Sequence, residues 1–166
     1  MIGQTIGSIR RNHALEHATI AVLANRLGRD VRLIGRATRN GYYLYGDMQA
    51  EQVEVAAQEA LERLRRGEAH LAVSPMCGTN LAVAGILAGL SSIVALGNRS
   101  RLERIPNVLL ASMLAVLVAQ PLGRIVQKHL TTDPDLSDTE LVSINEGGRG
   151  PGRFHRVETV RRPAHV

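Results

Sequence analysis

His13, Glu16 and His17 have the types and the spacing for metal chemistry. On a helix, at about 100° per residue, the three fall within about a third of the circumference. Two imidazoles one turn apart can grip one cation, and the carboxylate between them can hold or deprotonate a water that the cation activates. The order His-x-x-Glu-His on a helix is a zinc motif with that division of labour, although histidines at i and i+4 also occur as plain surface residues. A third ligand must come from elsewhere. Cys77, the sole thiol, in Ser74-Pro75-Met76-Cys77-Gly78-Thr79, is the first candidate. His70 is its main rival and His155 a weaker one; His129 and His165 read as incidental. Two His, one Cys and an open fourth position is a catalytic zinc arrangement, and the same donors suit ferrous iron.

Positioning these groups requires a helix. Over residues 10–27, Leu15, Ala18, Val22 and Leu23 recur at helical spacing, and Gly28 supplies a stop. Residues 1–8 read as a short lead, with Ser8 or Asn12 as cap. Residues 31–38 read as a strand, Asn40-Gly41 as a tight turn and Tyr42-Tyr43-Leu44-Tyr45 as its partner strand. The tyrosines pack a sheet face or, less often, line a pocket. A second helix starts at Asp47 and carries Val53, Ala56, Ala57, Ala60, Leu61 and Leu64 on one face over residues 49–66. His70-Leu71-Ala72-Val73 reads as a third strand running into the Ser74-Pro75 turn. The order helix, strand, strand, helix, strand is an α+β layer with helices on one face of a sheet.

The character then changes. Residues 78–97 carry no charge and contain one Asn and one Thr among small and apolar residues, and residues 105–123 are again uncharged. Each run is long enough to cross a bilayer as a helix, so the pair reads as a transmembrane hairpin. Gly85, Ala88, Gly89 and Ser92 on one run and Ala111, Ser112 and Ala115 on the other would allow close packing and could support self-association. Arg63, Arg65, Arg66, Arg124 and Lys128 flank the outer ends, against Arg99, Arg101 and Arg104 in the turn. That bias favours both termini in the cytoplasm of a bacterial inner membrane protein.

Residues 124–139 read as a linker, and residues 140–160 as a β-hairpin with a Gly-rich loop that could cradle an anion. The hairpin is expected to complete the first sheet, which would make the apolar hairpin an insertion. The organisation is 1–77 metal-binding α+β, 78–123 transmembrane, 124–139 linker, 140–160 hairpin and 161–166 a frayed tail.

Composition narrows the partners. Three Tyr, one Phe and no Trp leave little for base stacking, and the Arg residues behind the net charge of +5 form no single stripe, so nucleic acid is not expected. Arg beside apolar runs suits anionic lipid instead. A single Cys excludes an internal disulfide, and residues 1–9 show no cleavable signal.

His13-Ala14-Leu15-Glu16-His17 followed by Ser74-Pro75-Met76-Cys77-Gly78-Thr79 resembles the S-ribosylhomocysteine lyase (LuxS) family, part of a wider group with the inverted-zincin peptidases and mitochondrial processing peptidase. The likeness covers residues 10–79. It implies His13, His17 and Cys77 as ligands of zinc or iron, Glu16 as general acid/base, and the αββαβ core of that fold. In the lyases the context is Ser-Pro-Met-Gly-Cys; here Met76 is followed directly by Cys77. The lyases' second cysteine is missing, and Glu68 is the one nearby counterpart to the peptidases' downstream Glu. The expectation is a membrane-anchored relative, of a bacterial family without assigned function, that hydrolyses a peptide or amide at the membrane interface. Cys77 at a helix start is placed to act as thiolate. Arg10, Arg11 or an Arg of the last hairpin would stabilise the oxyanion. The alternatives are a non-catalytic integral membrane subunit with a structural metal, and a lyase acting on a small thioether sugar.

Overall fold

The first helix is longer than its apolar stripe. In the computed structural model, α1 spans Ile2–Leu27, so residues 2–8 are helix rather than a lead. Neither expected cap serves as one. Ser8 Oγ donates to the Gln4 carbonyl one turn back, which lets a serine sit inside a helix. Asn12 is buried, donates to the Thr38 and Arg39 carbonyls and accepts from Thr159 Oγ1. The structure describes residues 2–28, 33–97, 104–148 and 152–162. Val31 of the expected first strand, Arg99 and Arg101 of the basic turn, Arg149 to Pro151 of the Gly-rich loop, and His165 in the tail lie outside the described residues.

The chain divides into two units, Met1–Val73 with Leu130–Val166, and Ser74–His129. The first is α+β. Its strands β1 (Ile34–Thr38), β2 (Gly41–Tyr45), β3 (Thr139–Gly147) and β4 (Phe154–Arg161) form one antiparallel sheet in the order β1-β2-β4-β3. The last hairpin therefore enters the sheet through β4, with Tyr42 opposite Val157 and Leu44 opposite His155. The turn between β1 and β2 takes its positive φ at Gly41 rather than at Asn40.

Helix α2 (Ala50–Arg65) starts one turn of capping after Asp47: the Gln49 N–H donates to Gln52 Oε1. It packs on α1, and both cover one face of the sheet. Leu15, Ala18 and Val22 of α1, Val53, Ala60 and Leu64 of α2, Tyr42 and Leu44 of β2 and Val157 of β4 share one core. Alternation along β2 sends Tyr43 and Tyr45 to the other face, where they pack with Phe154. The expected third strand is absent. Residues 69–72 (Ala69–Ala72) form a single 3₁₀ turn that buries Leu71 and Ala72 and exposes His70. Four residues with two buried apolar side chains satisfy a short turn as well as a strand.

The second unit holds helices α3 (Gly78–Leu96) and α4 (Ile105–Val126), each long and apolar enough to cross a membrane. Their burial pattern is inverted relative to the first unit. Asn80 is the buried residue of α3, and Ala119 and Gly123 those of α4, while Leu81, Val94, Met113 and Leu117 are exposed. Ser92 and Ser112 meet through their hydroxyls at 2.9 Å, each also bonded to its own helix. Gly85 and Gly89 are not the contact points expected: a Cβ there would meet nothing within 4 Å. Pro121 lies inside α4, and a π turn (Gln127–Thr131) extends the helical segment into the stretch expected as linker.

Candidate metal centre

The core stripe of α1 fixes how its motif faces. With Ala14, Leu15 and Ala18 fully buried, His17 and Glu16 are drawn in to 4% and 5% exposure, and His13 is half-buried. The His13 and His17 rings lie 4.3 Å apart between centroids, tilted by 61°. A ring nitrogen of one is within 4.8 Å of a ring nitrogen of the other. His13 Nδ1 is 3.0 Å from the Thr131 carbonyl oxygen, and His17 Nδ1 is 2.8 Å from that of Ala72. A carbonyl only accepts, so each ring donates from Nδ1 and keeps the Nε2 lone pair. Metal-ligating histidines are held in this way, with one nitrogen given to a fixed acceptor and the other to the ion. The donors therefore fit a zinc-class divalent cation.

The two acceptors flank the second unit in the chain. Ala72 comes just before its first residue, Ser74, and Thr131 just after its last, His129. The returning segment is fastened further to α1. Arg10 Nη2 donates to the Thr132 carbonyl, the Asp133 N–H donates to the Arg10 carbonyl, and Arg11 pairs with Asp133 at 3.6 Å. Arg10 and Arg11 thus fasten the chain.

Glu16 points at β1. A Cβ on Gly35 would come within 2.0 Å of Glu16 Oε1, so the carboxylate occupies the space that any larger residue at position 35 would need. Behind it, the Tyr42 hydroxyl and Thr19 Oγ1 share a hydrogen bond of 2.8 Å. Burial pushes the Tyr42 phenol far above its ordinary range. The Thr19 bond opposes that, and the charge of Glu16 adds to it.

In the second unit, Cys77 caps α3, half-buried, with its sulfur accepting from the Thr79 N–H at 3.4 Å. Its loop is held by two buried amides. Asn80 Nδ2 donates to the Ser74 and Pro75 carbonyls, Gln127 Nε2 donates to Asn80 Oδ1 at 2.8 Å, and the Ser74 N–H donates to Gln127 Oε1 at 2.9 Å. Gly123 makes room: a Cβ there would lie 2.1 Å from Asn80 Oδ1. Desolvated amides between apolar helices are costly unless bonded to one another, and these are.

The rival ligands separate by environment. His70 is exposed on the 3₁₀ turn. His155 is fully buried in β4 with Nε2 at 3.1 Å from the Met48 carbonyl. His129 is exposed on the π turn, and Glu68 pairs with Arg63 and Arg66. Gly35 and the Ala72 and Thr131 carbonyls beside the motif, and Asn80 and Gln127 beside Cys77, are features that the motif alone does not reveal. Only the two lone amides, Asn80 in an apolar run and Gln127 after one, leave a signal in the sequence.

A family model described as a domain of unknown function, DUF6391, matches residues 8–144, a span that contains the motif of α1 and Cys77. An uncharacterized protein of Picosynechococcus sp. (strain ATCC 27264 / PCC 7002 / PR-6) is 37% identical over 161 residues, covering 90% of this chain and 78% of its own. No solved structure matches the chain.

Proposed function

The chain belongs to the DUF6391 family, and we propose that it is a membrane-anchored metallohydrolase that cleaves a peptide or amide bond. His13, His17 and Cys77 would hold zinc or ferrous iron, and Glu16 would act as the base. The observation that carries this reading is the pair of α1 imidazoles, both given to carbonyls through Nδ1, with a buried carboxylate on the same helix.

Chain connectivity supports Cys77 as the third ligand. Ala72, which accepts from His17, precedes Cys77 by five residues, a reach of at most about 18 Å at full extension. The turn in which the Cys77 N–H meets the Ser74 carbonyl shortens it. Sulfur with two imidazoles would supply three ligands, the number that catalytic zinc sites take from protein. The His-x-x-Glu-His order is the support for kinship with the LuxS and inverted-zincin group. The outward apolar faces of α3 and α4 support a bilayer as their surroundings, and the basic flanks support cytoplasmic termini in a bacterial inner membrane.

A bound divalent cation supplies a Lewis acid and lowers the pKa of water. Glu16 takes a proton from the attacking water and returns it to the leaving nitrogen as the C–N bond breaks. Packing against Gly35 keeps that carboxylate in place. The Nδ1 bonds hold both imidazoles in one tautomer throughout.

The test uses the full chain in phosphatidylcholine nanodiscs with a peptide library, read by mass spectrometry. Wild type should create new termini, and Glu16→Gln should create none while keeping its metal. No cleavage by wild type, or equal cleavage by Glu16→Gln, overturns the hydrolase reading. The 4% and 5% exposure of His17 and Glu16 favours one second reading, a closed structural metal site. Wild type that holds metal but cleaves nothing would support it.

A further inference from the structure

We propose that the first unit carries a second site, separate from the histidines, that binds a phosphate-class oxyanion. A cavity of about 30 Å³ is lined by Arg11, Arg39, Arg161, Ser8, Thr139 and Thr159, and no carboxylate lines it. That is room for about two waters, the scale of one tetrahedral oxyanion group.

The sequence builds the pocket from three directions. Ser8, Arg11 and Asn12 share one face of α1 at i, i+3 and i+4. His17 lies about 180° around the helix from Ser8, so the two sites use opposite sides of α1. Asn12 fixes the turn that carries Arg39, because its amide donates to the Thr38 and Arg39 carbonyls at 2.9 and 3.1 Å. The same amide's oxygen accepts from Thr159 at 2.7 Å, which docks β4 beside the turn. Thr139 opens β3 and Arg161 closes β4, opposite each other in register.

Two features point to an anion. Three arginines line one cavity that no carboxylate lines, so its positive charge attracts an anion. Arg11 and Arg161 find carboxylates outside the cavity, Asp133 and Asp138, but Arg39 has no acidic partner among the described residues. Thr139 is only 4% exposed, lines the cavity, and its hydroxyl makes no hydrogen bond among the described residues. Guanidinium forks and a free hydroxyl are the donors that a phosphate oxygen takes, whether the phosphate is free or part of a lipid headgroup.

The experiment titrates inorganic phosphate into the full chain in a neutral detergent at low salt, by calorimetry, with chloride at equal ionic strength as control. Binding should appear with phosphate alone and weaken about tenfold in Arg39→Gln, the loss of one charge-assisted bond. Arg39 is exposed, so that change leaves the core intact, and His13→Ala should bind phosphate as wild type does. In parallel, thermal unfolding is compared in nanodiscs of phosphatidylcholine with and without phosphatidylglycerol. Arg39-dependent stabilisation by phosphatidylglycerol, without binding of free phosphate, assigns the site to a headgroup. Phosphate binding that ignores Arg39, binding lost in His13→Ala, or no response to either probe overturns the proposal.

Discussion

The Nδ1 atom of His17 lies 2.8 Å from the carbonyl oxygen of Ala72, and this bond joins the motif helix to the last turn of chain before the apolar helices. Both ends are buried, with Ala72 at 1% exposure. The bond therefore stabilises the fold whether or not metal is present. His17→Ala should lower stability by about 1–3 kcal/mol in the presence of a chelator, because it strands a buried carbonyl. His13→Ala, at the half-buried end, should cost less. Chemical denaturation of the chelated proteins measures both; equal and negligible losses would show that the histidines are held by metal alone.

Gly35 and Glu16 form a second such pair. Gly35→Ala places a methyl in the carboxylate's space and should cost about 1–3 kcal/mol as overpacking. Glu16→Ala removes the obstacle, so the double variant should recover most of that loss. A double-mutant cycle reads the coupling directly, and strictly additive effects would mean that the two residues do not meet.

Asn80, Gln127 and Gly123 should also behave as one unit. Asn80→Ala removes the bond from Gln127 Nε2 to Asn80 Oδ1 and should destabilise by about 1–3 kcal/mol. Replacing both amides, Asn80→Ala with Gln127→Leu, should cost less than the two single changes summed. Thermal unfolding in one detergent at one concentration makes the comparison; full additivity would remove the network from the argument for an ordered Cys77 loop.

Much of this architecture is readable from residue types. The stripe Leu15, Ala18, Val22 orients α1, so the side on which His13 and His17 stand follows from the sequence. The run from Gly78 to Leu96 is uncharged and mostly apolar around the helix, which is why its length can be read without a partner. The parts that cannot be read are those with no side-chain signature. The carbonyls of Ala72 and Thr131 orient the histidines, and any residue supplies a carbonyl. The turn at Ala69–Ala72 is too short for periodicity to separate it from a strand. Gly35 reads as one more strand residue, because the reason for it lies in a side chain at position 16. Asn80 and Gln127 stand out as lone amides, but their pairing spans 47 positions of mostly apolar chain.

Tyr42 offers a test of the environment behind Glu16. Folding raises the pKa of this phenol, chiefly by burial. Its contribution to stability is complete below the unfolded value of about 10 and is lost as pH rises through the folded value. Native wild type and Tyr42→Phe should show the same tyrosinate absorbance up to about pH 11, and differ by one tyrosine only in denaturant. A native difference near the ordinary tyrosine range would place the phenol in contact with water.

The most direct measurement is the absorption spectrum of the cobalt(II)-substituted full chain in nanodiscs, taken for wild type, His13→Ala and Cys77→Ser. The expected result is one cobalt per chain with a thiolate-to-metal charge-transfer band in wild type, loss of that band in Cys77→Ser, and loss of tight binding in His13→Ala. A wild type that binds no cobalt, or a spectrum that Cys77→Ser leaves unchanged, would contradict a centre made from these two imidazoles and this sulfur.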